Sequence, residues 1–219
     1  MDMNARSKLI DQLVARGQVD DAIREYLELA DIYYRLAELD MARKTYTTAL
    51  RVVQQANADR QWNVHILQRM ADIDMQRLDW KQAIRIYEQI RTLRPDDEST
   101  RKNIIELSLR MGQPAQATAE LESYLTYLQA NNHREQGVQF IESLLEERPD
   151  DPILRRALAQ AYQQAGRTDE AVAQLDSLAE SMLNVGMNEE AMVLINQILL
   201  MNPPNTEQYR QLLAQLQSK

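Results

Sequence analysis

The stretch Leu78-Asp79-Trp80-Lys81-Gln82-Ala83-Ile84-Arg85-Ile86-Tyr87-Glu88-Gln89-Ile90 holds the key to the architecture. A turn residue at 78 is followed five positions on by the small Ala83. Large apolar residues stand four and seven positions beyond that, at Tyr87 and Ile90. Those spacings place Ala83, Tyr87 and Ile90 on one stripe of an α-helix. The same order returns at Gly112, Ala117, Leu121 and Tyr124, and again at Gly166, Ala171, Leu175 and Leu178. Further copies centre on Ala22 (with Gly17, Tyr26, Leu29), Ala42 (Tyr46, Ala49), Gly137 (Ile141, Leu144, Pro149) and Ala191 (Gly186, Ile195, Ile198, Pro203). A second helical pattern precedes each turn, such as Leu158, Ala159 and Tyr162 ahead of Gly166.

This pattern resembles the tetratricopeptide repeat, a helix–turn–helix unit of 34 residues. The small residue sits where two helices cross closely, and the turn glycines 17, 112, 166 and 186 follow helix ends, where a left-handed backbone is usual. The small residues are 34 apart from Ala83 to Ala117 and from Gly137 to Ala171, but 20 apart at Ala22–Ala42, Ala117–Gly137 and Ala171–Ala191, and 41 apart at Ala42–Ala83. A step of 20 is one helix and its loop, so the segments 20–37, 115–130 and 169–184 each close one repeat and open the next. The expected architecture is an all-α, right-handed solenoid of about twelve antiparallel helices, forming a single domain over 1–219. Three-helix units lie near 4–56, 98–147 and 152–201, a regular two-helix repeat near 60–94, and a terminal helix at 206–217. Asp79, Asp97, Asp151, Thr168, Asn188 and Asn205 stand where helix N-caps are wanted, with Pro152 at a first helical position.

Composition points the same way. Only 5 Gly and 6 Pro occur in 219 residues, roughly 5% against the usual ~12%, too few turn-formers for a β-sandwich, barrel or doubly wound sheet. The absence of Cys excludes a disulfide framework, zinc-finger spacings and a thiolate nucleophile. With 25 Lys+Arg against 33 Asp+Glu, net −8, the chain lacks the basic balance of a nucleic-acid binder. The most apolar stretch, 192–201, is ten residues long, about half of what a bilayer crossing needs. These features predict a cytoplasmic chain without membrane insertion.

No constellation for catalysis emerges. The acidic pairs Asp20-Asp21, Asp96-Asp97, Asp150-Asp151 and Glu189-Glu190 lie at or just after turns, where negative charge favours a helix N-terminus. Asp72-Ile73-Asp74 lacks the glycine of a calcium loop and falls inside a helix. His65 and His133 have no partner at ligand spacing, and no Ser or Lys stands in a catalytic or phosphate-binding turn. Ten Met mostly occupy apolar helical positions and read as core filler. The expectation is a non-enzymatic protein with no metal or cofactor.

Function then rests on the inner face. The resemblance implies that first helices of the repeats line a groove through their second, fifth, ninth and twelfth positions. Carried onto this sequence, those positions make Asp11, Asp31, Asp72 and Glu106 an acidic row, with Tyr34, Met75 and Leu109 an apolar row beside it and Lys102 on the same helix as Glu106. The lysine–asparagine pair that grips acidic chaperone tails is replaced by Ser7 and Asp11. The expected role is a scaffold binding another protein through a segment that alternates Lys or Arg with large apolar residues. The alternatives are a regulatory or assembly domain of a larger protein, or a self-associating module that forms a homodimer. Each 20-residue step also exchanges helix parity, so a face that is concave in one repeat can become convex in the next.

Overall fold

The computed structural model describes residues 3–217, and all of its regular structure is α-helical. By their internal contacts the residues form two compact units, Met1–Met111 and Gly112–Lys219. The boundary falls inside the 98–147 segment expected to be one unit.

The first unit contains α1 (Met3–Ala15), α2 (Val19–Arg35), α3 (Leu39–Gln55), α4 (Arg60–Gln76), α5 (Trp80–Leu93) and α6 (Glu98–Arg110). Each helix packs on the next, as the three- or four-residue connections require. Ala22, Ala42 and Ala83 are fully buried, and Tyr46, Ala49, Tyr87 and Ile90 join Ile66, Leu67 and Ile73 in a common core. The second unit contains α7 (Pro114–Ala130), α8 (Arg134–Glu147), α9 (Pro152–Gln164), α10 (Thr168–Asn184), α11 (Asn188–Leu200) and α12 (Thr206–Gln217). Its helices pack in sequence and, in addition, α7 packs on α9. Ala159, Leu175, Leu178, Leu194, Ile195 and Ile198 form a core closed by Tyr209 of α12.

Helix lengths explain the irregular spacing. The three steps of 20 are each one 17-residue helix (α2, α7 or α10) with a three-residue turn. The steps of 34 pair a 14-residue helix with a 13-residue one, α5 with α6 and α8 with α9. The step of 41 pairs two 17-residue helices, α3 and α4. Its extra length is therefore one further turn at the level of each helix, with no long loop.

Nine of the eleven connections between the described helices contain a left-handed residue, and those at 94–97 and 148–151 do not. After α4 the amide of Leu78 donates to Met75 O (3.1 Å) and that of Asp79 to Asp74 O (2.9 Å), a Schellman motif with Leu78 in the left-handed region at φ 57°. Gly17, Gly112, Gly166 and Gly186 hold the equivalent place with φ 66–81°, as expected, but Ala37, Asn57, Leu78, Asn132 and Asn202 hold it elsewhere without glycine. Gly137 serves close packing instead, because a Cβ there would lie 2.9 Å from Leu125 Cδ2 across the α7–α8 crossing.

The capping expectations divide. Asp79 and Asp151 accept backbone amides of α5 and α9, and Pro152 opens α9. Asp97 occupies the cap position, but its carboxylate accepts the Ser99 and Thr100 hydroxyls instead (3.0 and 2.6 Å). Thr168 and Asn188 are already the first helical residues, with Arg167 and Met187 in the cap positions. The cap of α4 is Asp59, which accepts from Gln61 N at 2.8 Å.

Candidate functional site

The first unit assembles its polar side chains across helices. Three contacts join α2 to α4: Trp62 Nε1 donates to Asp20 (3.1 Å), the Gln76 amide donates to the Tyr34 hydroxyl, and Arg69 Nε stands 3.9 Å from Asp31 Oδ1. The Tyr46 hydroxyl of α3 donates to the same Asp31. Asp72, one turn beyond Arg69 on α4, has its carboxyl pushed above the usual carboxylate range by desolvation, against the opposing pull of Arg69. Its charge in turn helps to raise two phenols. Tyr87 of α5 is pushed up to about 12, chiefly by burial and then by Asp72. Tyr46 is raised by burial, then by Asp31, and also by Asp72.

Asp31 and Asp72 therefore belong to one cluster around Arg69, drawn from α2, α3, α4 and α5. Side chains of α2 reach α4 directly. Tyr34 and Met75 are half-buried against the adjoining core. Asp11 lies exposed on α1, where its charge adds to burial in raising Tyr26. Lys102 and Glu106 pair along α6 at 3.4 Å, with Leu109 half-buried one turn on.

Asp74 has another role. It is 2% exposed, and Arg43 of α3 grips it bidentately at 2.8 and 2.9 Å. Desolvation raises its carboxyl, Arg43 opposing. Asp72 and Asp74 thus point to opposite sides of α4, one toward the Arg69 cluster and one into a buried ion pair. Among the described residues no group of three or more His, Cys, Asp and Glu could hold a metal ion. No described helix is long and apolar enough to cross a membrane.

The second unit carries a groove of about 250 Å³ that the repeat positions did not single out as a site. Leu121, Ala157, Leu178, Met182 and Leu194 give it apolar walls from α7, α9, α10 and α11, and Glu122, Arg156 and Glu190 stand among the lining residues. Gln160, at the ninth repeat position of α9, also faces it. Glu190, assigned by sequence to a helix start, does lie in the first turn of α11. Arg69 and Arg156 escape a reading by repeat position, which ranks side chains by face, whereas these arginines matter through what stands opposite them. The one local signal for Arg69 is its three-residue spacing from Asp72.

Charge divides as unevenly. Up to Met111 there are 18 Lys+Arg and 18 Asp+Glu; from Gly112 onward there are 7 and 15, so the whole net −8 belongs to the second unit.

Residues 3–146 match the family model of the soluble NSF attachment protein, and residues 128–184 match a tetratricopeptide repeat model. No curated protein matches the chain. Solved structures similar to it include a tetratricopeptide repeat protein from Parabacteroides merdae ATCC 43184, at 15% identity and TM-score 0.38, over 98% of each chain. MamA from Desulfovibrio magneticus RS-1 aligns at 13% identity and TM-score 0.40, over 72% of this chain and 93% of that one. YrrB, described as a TPR protein with an unusual peptide-binding site, aligns at 13% identity and TM-score 0.40, over 78% and 91%. Likeness at this level says nothing of what this chain binds.

Proposed function

The chain belongs to the soluble NSF attachment protein family and is built of tetratricopeptide repeats; on that premise we propose that it is a non-enzymatic scaffold whose first unit docks a partner segment beside Asp31 and Asp72. The repeat grouping near 4–56, 60–94, 98–147 and 152–201, with the helix at 206–217, is part of the same reading. The observation that carries it is the cluster around Arg69. Two carboxylates share one guanidinium, which leaves an excess negative charge next to the half-buried Tyr34 and Met75. Asp72 is exposed, so a partner's cation can reach it beside the half-buried Tyr34 and Met75.

A Lys or Arg of the partner supplies the second positive charge, and a neighbouring apolar side chain covers Met75 and Tyr34. Asp11 and the Lys102–Glu106 pair with Leu109 extend the contact along the first helices. Charge sets register and association rate, while the apolar contacts supply most of the affinity.

A peptide array tests this. Twelve-residue peptides varied independently in basic and apolar content are probed with the intact protein, and bound peptides should alternate Lys or Arg with large apolar residues. The Asp31→Lys/Asp72→Lys variant should lose these peptides at least tenfold at low salt. An unchanged set of bound peptides would overturn the reading.

A further inference from the structure

We infer that the groove between α7, α9, α10 and α11 is a second protein-docking site, which takes one large apolar side chain of a partner flanked by a Lys or Arg. Its walls are the apolar Leu121, Ala157, Leu178, Met182 and Leu194. They belong to four helices and converge at helical spacing: Leu178 and Met182 on α10, Glu190 and Leu194 on α11, and Arg156, Ala157 and Gln160 on α9. The space measures about 250 Å³. That lies below the ~300–1,000 Å³ of pockets for cofactor-sized ligands and suits a single Leu, Met or Phe side chain.

The charged residues select what accompanies the anchor. Glu122 and Glu190 bring two carboxylates to the groove and Arg156 one guanidinium, and all three are exposed. None of their side chains makes a hydrogen bond or ion pair within the described residues. This sets them apart from the first unit, where Asp31, Asp74 and Glu106 already have cationic partners. Every Lys and Arg counted, the second unit has 15 acids against 7 bases. A basic residue beside the apolar anchor therefore gains both a local carboxylate pair and the field of the unit. Arg156 limits the match to a segment that also presents an acceptor or acid on its other side. The site stands independently of the one proposed beside Asp31 and Asp72.

Fluorescence anisotropy on the intact protein tests the inference with three labelled 12-residue peptides. One carries a central Phe with Lys at three and four positions from it, one replaces each Lys by Glu, and one replaces Phe by Asp. The Phe–Lys peptide should bind saturably and at least tenfold tighter than either control. Glu122→Lys/Glu190→Lys should weaken it at least tenfold, and Arg156→Glu should tighten it about threefold. A melting curve confirms that these surface variants fold. The inference is overturned if the Phe–Lys peptide binds no better than the controls, or if reversing Glu122 and Glu190 leaves its affinity within twofold. Loss of binding in Asp31→Lys/Asp72→Lys alone places the peptide on the first unit and also overturns it, without touching the earlier proposal. A doubled molar mass by light scattering that Glu122→Lys/Glu190→Lys abolishes makes a second copy the occupant, which again sinks it.

Discussion

The two units use one repeat grammar and deploy their charge in opposite ways. The first is balanced, with 18 acids and 18 bases, and joins its helices through pairs such as Arg43–Asp74, Arg77–Asp40 and Arg6–Glu25. The second holds the whole net −8 and, among the described residues, leaves the side chains of Glu122, Arg156 and Glu190 without partners around an apolar groove. Total charge is therefore a poor guide to a binding face. What counts is how much counter-charge already stands across the helix boundary: Asp31 and Asp72 have one guanidinium near both of them, whereas Asp74 is gripped by Arg43 and offers a partner little.

The contrast is tested most severely by removing a partner in the first unit. Arg43→Met leaves Asp74 buried and unpaired, and should destabilise the protein by about 3 kcal/mol, the low end for a broken buried pair because Arg43 is a quarter exposed. Chemical denaturation measures it, and adding Asp74→Asn should restore most of the loss. The pH dependence has a definite sign. Burial raises the folded Asp74 pKa above its unfolded 3.8, so its contribution is complete below that value and is lost as pH rises through the folded pKa. The Arg43→Met deficit should therefore be largest near neutral pH and shrink on acidification. A deficit independent of pH would mean that Asp74 is not its source.

In the second unit the vulnerable element is packing. Gly137→Leu puts a side chain where even a Cβ meets Leu125 at 2.9 Å, and should cost about 1–3 kcal/mol. Hydrogen exchange should show the loss in α7 and α8. Equal loosening of α2–α4 would show that the units do not respond separately.

A smaller effect of the opposite sign is expected at Leu78. Its side chain is 72% exposed and its backbone is left-handed, so Leu78→Gly relieves strain at little cost in burial. The gain should be about 0.5–1 kcal/mol, or roughly 1–4 °C in Tm. The smallest contrast is in salt. Raising ionic strength from 0.01 to 0.15 M shortens the Debye length from about 30 to about 8 Å. It should slow hydrogen exchange in the acidic second unit and leave the balanced first unit nearly unchanged.

Much of the fold was legible because it rests on local periodicity. Ala22, Ala42, Ala83, Ala117, Ala171 and Ala191 recur at helix crossings, and all are fully buried. Four left-handed turns were announced by glycine, whereas Ala37 and Leu78 gave no such warning, since the Schellman bonds impose the same backbone on residues that do not favour it. Thr168 and Asn188 misled for a related reason. They are good cap residues by type, but the preceding turn brings Arg167 and Met187 into the cap position.

The candidate sites were less legible. Repeat positions put Asp31 and Asp72 on first-helix faces without indicating that Arg69 and Tyr46 interact with both of them. They put Asp72 and not Asp74 on that face, without indicating that Asp74, two residues away, is buried against Arg43.

The helices, their number, the close crossings and the repeat family can all be read along the chain, because each follows from side chains three to seven positions apart on one helix. Which charges are partnered, where an apolar groove opens and which acids lie beside it emerge once the helices pack. Those properties depend on residues 15 to 70 positions apart, such as Asp31 with Tyr46 or Glu122 with Glu190, which no helical period brings together.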